Sequence, residues 1–333
     1  MMLCVGCRGA YLMRLAWEEA RYLHGATPAT ELLASAGNPD RRRALEALLD
    51  ARDFAAREGL DVGGSFRSVA TTAAPFDVVT AAYVDRLEPY TWWYPVVGAI
   101  PYRGYFDPDS AQRYARTLRE RGLDTMVVKA SAYSTLGWFD DPLPSGVIDR
   151  GDGAVVVTVL HELVHQTFFA PGQVAFNETL ATAASWRLAE RYWASKGDPA
   201  RAHPVALARQ RWIARSDALD SAAATLEEFF ARAHQDKLGR AQMLVARARV
   251  YQDVLRRIEL ADQEFAAELR DGGLDNASFL AAHRYATAGR AIDVYLAAWP
   301  SVSRALANLK ESLAKRQSLS HTVPGWPEDA REH

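Results

Sequence analysis

Five consecutive residues, His161-Glu162-Leu163-Val164-His165, carry the side chains that metal-assisted hydrolysis requires. On a helix, positions i and i+4 lie one above the other, so both imidazoles face one point and can share a zinc ion. Glu162 is turned by about 100° from His161. It therefore stands beside the metal rather than on it, where a carboxylate can take a proton from water. Zinc lowers the pKa of the water it holds to about 7, which makes hydroxide available at neutral pH. The flanking Val155, Val156, Val157, Val159, Leu160, Leu163 and Val164 make the segment apolar on nearly all sides, the signature of a buried helix. Two histidines and a glutamate in such a helix need partners. A metal meets that need directly; hydrogen-bonded core histidines are the alternative.

Two histidines leave a third ligand to find. Ala170-Pro171-Gly172-Gln173 reads as a turn, and Phe176-Asn177-Glu178-Thr179-Leu180-Ala181 opens a second helix. Leu180, Ala184, Leu188 and Arg191 carry that helix to Trp193 at helical spacing. Glu178 falls in its first turn and would complete a His-His-Glu site with one position open. Its simpler role is an acid at a helix N-terminus, favoured by the dipole. Glu190, three turns on, would point away.

The elements that position these residues follow from texture. From Arg8 to about Glu58 the pattern is helical. Thr27-Pro28 reads as an N-cap with proline at the first helical position. Asn38-Pro39 breaks the pattern, and Arg41–Arg57 resumes it with Leu45, Leu48, Leu49 and Phe54 on one stripe. Arg41-Arg42-Arg43 reads as a solvated face. Between Gly59 and Asp152, Gly, Pro and Thr punctuate short strands at Phe76–Val84, Trp92–Ile100 and Thr125–Val128. One helix, about Pro108–Gly122, interrupts them. After Asp152 the chain reads as helix to about Leu319, followed by a polar tail over 321–333. The expected fold is α+β and mainly α-helical. It is one domain over 8–320, with helices and a small mixed sheet to 152 and a helical half carrying the metal site from 153 on.

Composition excludes several classes of function. The 333 residues are 49% hydrophobic and 24% charged, with 39 basic and 41 acidic side chains and a formal charge of −2. Such a balance gives nucleic acid no electrostatic purchase. No run of 18 uncharged apolar residues is present, so no transmembrane helix is written. The two cysteines, Cys4 and Cys7, both precede the body of the chain, which rules out a disulfide framework and a cysteine zinc site. They read either as incidental thiols or as the end of a lipoprotein signal, with Gly6-Cys7 as the junction that is cleaved and acylated. Six residues are too few for a full signal. That reading therefore places the true start upstream of Met1 and the protein in the bacterial cell envelope, anchored through acylated Cys7.

The His161–His165 string with Asn177-Glu178 resembles the gluzincin arrangement of thermolysin-like metallopeptidases, in which the third ligand is a glutamate on a following helix. More specifically, the chain resembles a bacterial family labelled putative aminopeptidases, often lipoproteins. Gly6-Cys7, Trp93–Pro95, Tyr102-Arg103-Gly104-Tyr105-Phe106, Tyr133–Pro142, His161–Gln166 and Phe176-Asn177-Glu178 carry that resemblance. It covers about Cys7–Trp193 well and the C-terminal helices loosely. The resemblance implies a zincin-like fold and a zinc-dependent peptidase with Glu162 as general base. The chain lacks the Gly-x-Met-Glu-Asn motif with which one aminopeptidase group binds the substrate amine. Thr182 also stands where thermolysin-like enzymes place an acid, four residues after the glutamate ligand.

The aromatic-rich segments Tyr102–Tyr105 and Tyr133–Asp141 read as loops and as candidate walls of a substrate cleft, along which an extended peptide can add as a strand. Tyr133, Tyr285 and His283 are the candidate donors to a developing oxyanion. His203 and His234 read as surface residues. The readings to be separated are a zinc peptidase, another zinc hydrolase, and a non-catalytic zinc-binding envelope protein. Glu162 argues against the last, because binding a metal does not require it. No protein partner is called for beyond a peptide substrate.

Overall fold

The computed structural model describes residues 24–70, 77–94, 98–129 and 140–328. Cys4, Cys7, the first part of the helical pattern expected from Arg8, and Tyr133 lie outside the described residues.

The described chain is mainly helical with small sheets. Its first elements are strand β1 (Ala26–Pro28), α1 (Ala29–Ser35) and α2 (Pro39–Arg57). Asn38 caps α2 by accepting from the backbone N–H groups of Asp40 (2.8 Å) and Arg41 (3.2 Å), with Pro39 at the first helical position. The Thr27-Pro28 expectation is corrected. These residues pair with β2 (Ser68–Ala70) as a strand, and helix starts only at Ala29. An extended backbone at the residue before a proline is what sterics favour.

The central sheet has the order β6 (Tyr102–Tyr105), β3 (Asp77–Tyr83), β7 (Leu123–Lys129), antiparallel throughout. Tyr102–Tyr105, expected as a loop, is therefore a strand. Tyr102 and Tyr105, three residues apart, fall on opposite faces of the strand, and tyrosine favours strands. The run Trp92–Ile100 divides into β4 (Trp92–Tyr94) and β5 (Gly98–Ile100), paired antiparallel with each other. Helix α3 (Pro108–Glu120), capped by Asp107, lays Ala111, Ala115 and Leu118 on Val79 and Ala81 of the sheet. Strand β8 (Leu143–Pro144) runs parallel to β2, and the one-turn α4 (Ser145–Ile148) follows it.

Helix α5 (Asp152–Thr167) carries the histidines, and α6 (Val174–Ser195) follows after a tight turn. Five β-branched residues at Val155–Val159 make α5 a poor helix by propensity. Burial overrides that preference. Val155, Val156, Val159, Leu160 and Leu163 are almost fully buried in one cluster with Leu45 and Leu48 of α2 and with Leu180, Ala184 and Leu188 of α6.

Helices α7 (Pro199–Gln235), α8 (Arg240–Ala261) and α9 (Gln263–Gly272) form a second cluster around Leu226, Val254 and Ile258, which also takes in Phe279 of α10 (Asn276–His283). Asn276 fixes the start of α10 to the end of β3 by donating to the carbonyls of Tyr83 (2.7 Å) and Arg86 (3.0 Å). Helices α11 (Gly289–Ala297), α12 (Val302–Ala314) and α13 (Leu319–Thr322) close the fold. The expected polar tail is also corrected. Val323 and Trp326 are buried, and Trp326 meets Phe176 edge-on with ring centroids 4.9 Å apart. Two apolar residues in a polar string were enough to add a last layer to the core. No helix among the described residues is long and apolar enough to cross a membrane.

Candidate metal centre

The Nε2 atoms of His161 and His165 lie 3.1 Å apart, and each is 3.5 Å from Oε2 of Glu178. The side chains of His161, His165 and Glu178 are 17%, 7% and 16% exposed. Three lone-pair atoms thus converge in a nearly closed space. They are the two imidazole nitrogens and one carboxylate oxygen that hold zinc at catalytic sites while leaving a position open. Among the described residues, these three form the one such group of histidine, cysteine and acidic side chains.

The electrostatics suit a cation. Burial alone opposes the charged form of Glu178, yet the two imidazoles outweigh it and hold the carboxyl well below the usual carboxylate range. Burial likewise opposes the His165 imidazolium. The charge and hydrogen bond of Glu178, with the charge of Glu162 behind them, nevertheless lift its pKa above the ordinary histidine value. The Nδ1 atom of His165 is buried and has no hydrogen-bond partner among the described residues. Glu162 occupies the next helical position, half-buried, and its field reaches both His165 and Tyr285.

The turn between the two helices brings Glu178 into place. Gly172 takes a φ of +72°, a conformation that costs glycine little. Asn177 then clamps the turn. Its Oδ1 accepts from the backbone N–H of Ala170 and its Nδ2 donates to the Ala170 carbonyl, both at 2.8 Å. Asn177 is 2% exposed, so both bonds form away from water. At the end of α5, the Thr167 hydroxyl accepts from the backbone N–H of Asp61 (2.9 Å) and donates to the carbonyl of Leu163 (2.6 Å).

A strap from His283 to Gly289 crosses beside the cluster. Thr179, next to the third ligand, donates to the carbonyl of Arg284 (3.3 Å). Trp212 donates to the carbonyl of Tyr285 (3.1 Å), and Ser216 donates to that of Ala286. A Cβ on Gly289 would stand 2.6 Å from the Ser216 hydroxyl and 2.9 Å from the Trp212 ring, so the strap seats only on glycine there. Tyr285 keeps 45% of its surface exposed. Its phenol is nevertheless driven far above the ordinary tyrosine pKa, first by the negative charge of Glu178 and then by burial, with Glu162 adding to both. Tyr285 is therefore a protonated donor beside the cluster.

The other residues singled out from sequence fall elsewhere. His283 is tied to Asp220 (2.7 Å) and stacks on Phe279, joining α10 to α7. Glu190 faces Arg209 (3.5 Å). His203 and His234 are exposed. Sequence reasoning missed the Asn177 clamp, the Thr179 tie and Arg284. The last had a signal: it is the only Asp, Glu, Lys or Arg between Asn276 and Gly289.

Among protein families, the model described as "Putative aminopeptidase" matches residues 10–321. The chain belongs to that family. None of the curated proteins and none of the solved structures matches it.

Proposed function

We propose that this protein is a zinc-dependent peptidase of zincin-like, gluzincin type, held by His161, His165 and Glu178. The observation that carries the reading is the convergence of three ligand atoms beside a glutamate one position along the same helix. When bound, zinc would polarise the scissile carbonyl and acidify the attacking water. Glu162 takes the proton from that water as general base and returns it to the leaving amine. Tyr285, held protonated, donates to the oxygen that gains negative charge. The peptide lies between the metal helix and the aromatic edge that includes Tyr102. An acylated Cys7 would hold the enzyme at the cell envelope, where the substrate would be a peptide of that compartment.

The test is elemental analysis with a cleavage-site profile. The purified protein should hold close to one zinc per chain, and a His161→Ala/His165→Ala double variant should hold none. The zinc-loaded protein should release products from a peptide mixture, and the sites cut report end-preference. Full zinc occupancy in the double variant, or no cleavage by the loaded protein, would overturn the reading.

A further inference from the structure

Arg284 is 7% exposed, and its Nε is buried without a hydrogen-bond partner among the described residues. No carboxylate among the described residues forms an ion pair with it. This is an unusual position for a guanidinium. A guanidinium carries a permanent charge, and burying one without a counterion is strongly unfavourable. Three partly buried arginines among the described residues do pair with carboxylates. Arg187 and Arg209 share Asp293, and Arg247 holds Asp124. The Tyr102 ring lies 5.7 Å from the Arg284 guanidinium carbon. Such a contact offsets only part of the cost of burial.

Its place explains the vacancy. The Thr179 hydroxyl holds the Arg284 carbonyl, so Arg284 is one hydrogen bond and one residue away from the ligand Glu178. Tyr285, the proposed oxyanion donor, follows it in the chain. Tyr102, on which the guanidinium rests, belongs to outer strand β6. A buried cation beside the proposed path of the peptide can receive an anion, and the planar guanidinium fork matches a carboxylate.

We infer that Arg284 binds a carboxylate of the substrate and makes this a peptidase for short peptides with a free C-terminus. The inference rests on the peptidase reading and adds its substrate class. An acidic side chain offers the same group, so both sources enter the test.

The zinc-loaded protein is given trialanine, its C-terminal amide, and an amidated tripeptide carrying one glutamate in the last position. Cleavage is followed by kcat/KM. Binding is followed separately by calorimetry on the inactive Glu162→Gln protein, with and without Arg284→Gln. Wild type should prefer the free acid over the amide by about 10- to 100-fold, the range of a charge-assisted hydrogen bond to a buried partner. Arg284→Gln should remove the preference, and Arg284→Lys should restore part of it. Failure of the glutamate-bearing amide to match the free acid assigns the site to the chain terminus. Equal rates on that amide would overturn the C-terminal assignment. Equal handling of acid and amide by wild type, or equal loss on both in Arg284→Gln, would overturn the role of Arg284. Carboxylate-dependent binding without cleavage would sustain Arg284 and remove the peptidase reading.

Discussion

The hydroxyl of Thr179 reaches the backbone carbonyl of Arg284 at 3.3 Å, across 105 residues of sequence. Through this bond the helix that supplies Glu178 also sets the height of the strap that carries Tyr285. The two halves of the proposed chemistry, ligand and oxyanion donor, are therefore linked by a buried contact, while Trp212 and Ser216 also hold the strap.

Breaking that contact should separate metal binding from turnover. Thr179→Val keeps the shape and removes the donor, leaving a buried carbonyl unsatisfied at a cost of about 1–3 kcal/mol. None of the three ligands is altered, so zinc content should stay near wild type. Turnover should fall by about 10-fold or more, because small displacements of reacting groups are expensive. Metal analysis and peptide kinetics on the same sample decide it. Loss of zinc in parallel with rate would place Thr179 in the ligand scaffold instead.

Asn177 has the opposite signature. Its side-chain amide makes two bonds to Ala170, and it directly precedes Glu178. Asn177→Ala should destabilise the fold by about 2–4 kcal/mol, from two lost bonds and two buried groups left unpaired. It should also weaken zinc binding by about 10- to 100-fold, the usual effect of removing a group that orients a ligand. Denaturant unfolding and a competitive zinc titration measure the two effects. Unchanged zinc affinity would show that Glu178 finds its place without the clamp.

Local pattern carried the reading of the sequence furthest where one helix holds the chemistry. His161 and His165 are one turn apart, so their convergence needs only a helix. Glu178 was legible because a short turn forces neighbouring helices together. The strand at Tyr102–Tyr105 was not, because four residues with a glycine among them look like a loop until β3 is there to pair with. Arg284 was marked in the sequence only as the lone charged residue between Asn276 and Gly289, and its role was not legible for a different reason. Its meaning lies in the absence of a counterion among the described residues, and that is a property of the packed neighbourhood rather than of the sequence around it.

Glu162 offers the sharpest mechanistic test. Glu162→Gln preserves the shape of the half-buried side chain and leaves all three ligands in place. Zinc content should not change, while turnover should drop by about 100-fold or more, in line with general-base contributions. Single-turnover rates with metal-loaded protein make the comparison. Wild-type rates in the variant would remove Glu162 from the mechanism even with zinc fully bound.

The cap of α10 should make stability depend on pH in a defined direction. Asp275 accepts from the backbone N–H of Ser278 (3.0 Å) and so sets the start of the helix that ends at the Arg284 strap. Burial first, and the charge of Asp124 second, raise its carboxyl pKa above the ordinary aspartate value, against the pull of Ser278 and Arg247. A carboxyl raised in this way binds its proton more tightly in the folded state than in the unfolded one. Its contribution to stability is therefore greatest below the ordinary aspartate value, about 3.9, and declines as pH rises through the folded value. Asparagine caps a helix as well as aspartate does and carries no charge to desolvate. Asp275→Asn should accordingly be more stable than wild type at pH 7, by up to about 1 kcal/mol, a typical gain for one well-chosen substitution. That advantage should shrink as pH falls towards 4. Urea unfolding of both proteins across this range reads the difference directly. An advantage that grows on acidification would mean that the Asp275 carboxylate stabilises the fold through Arg247 rather than straining it.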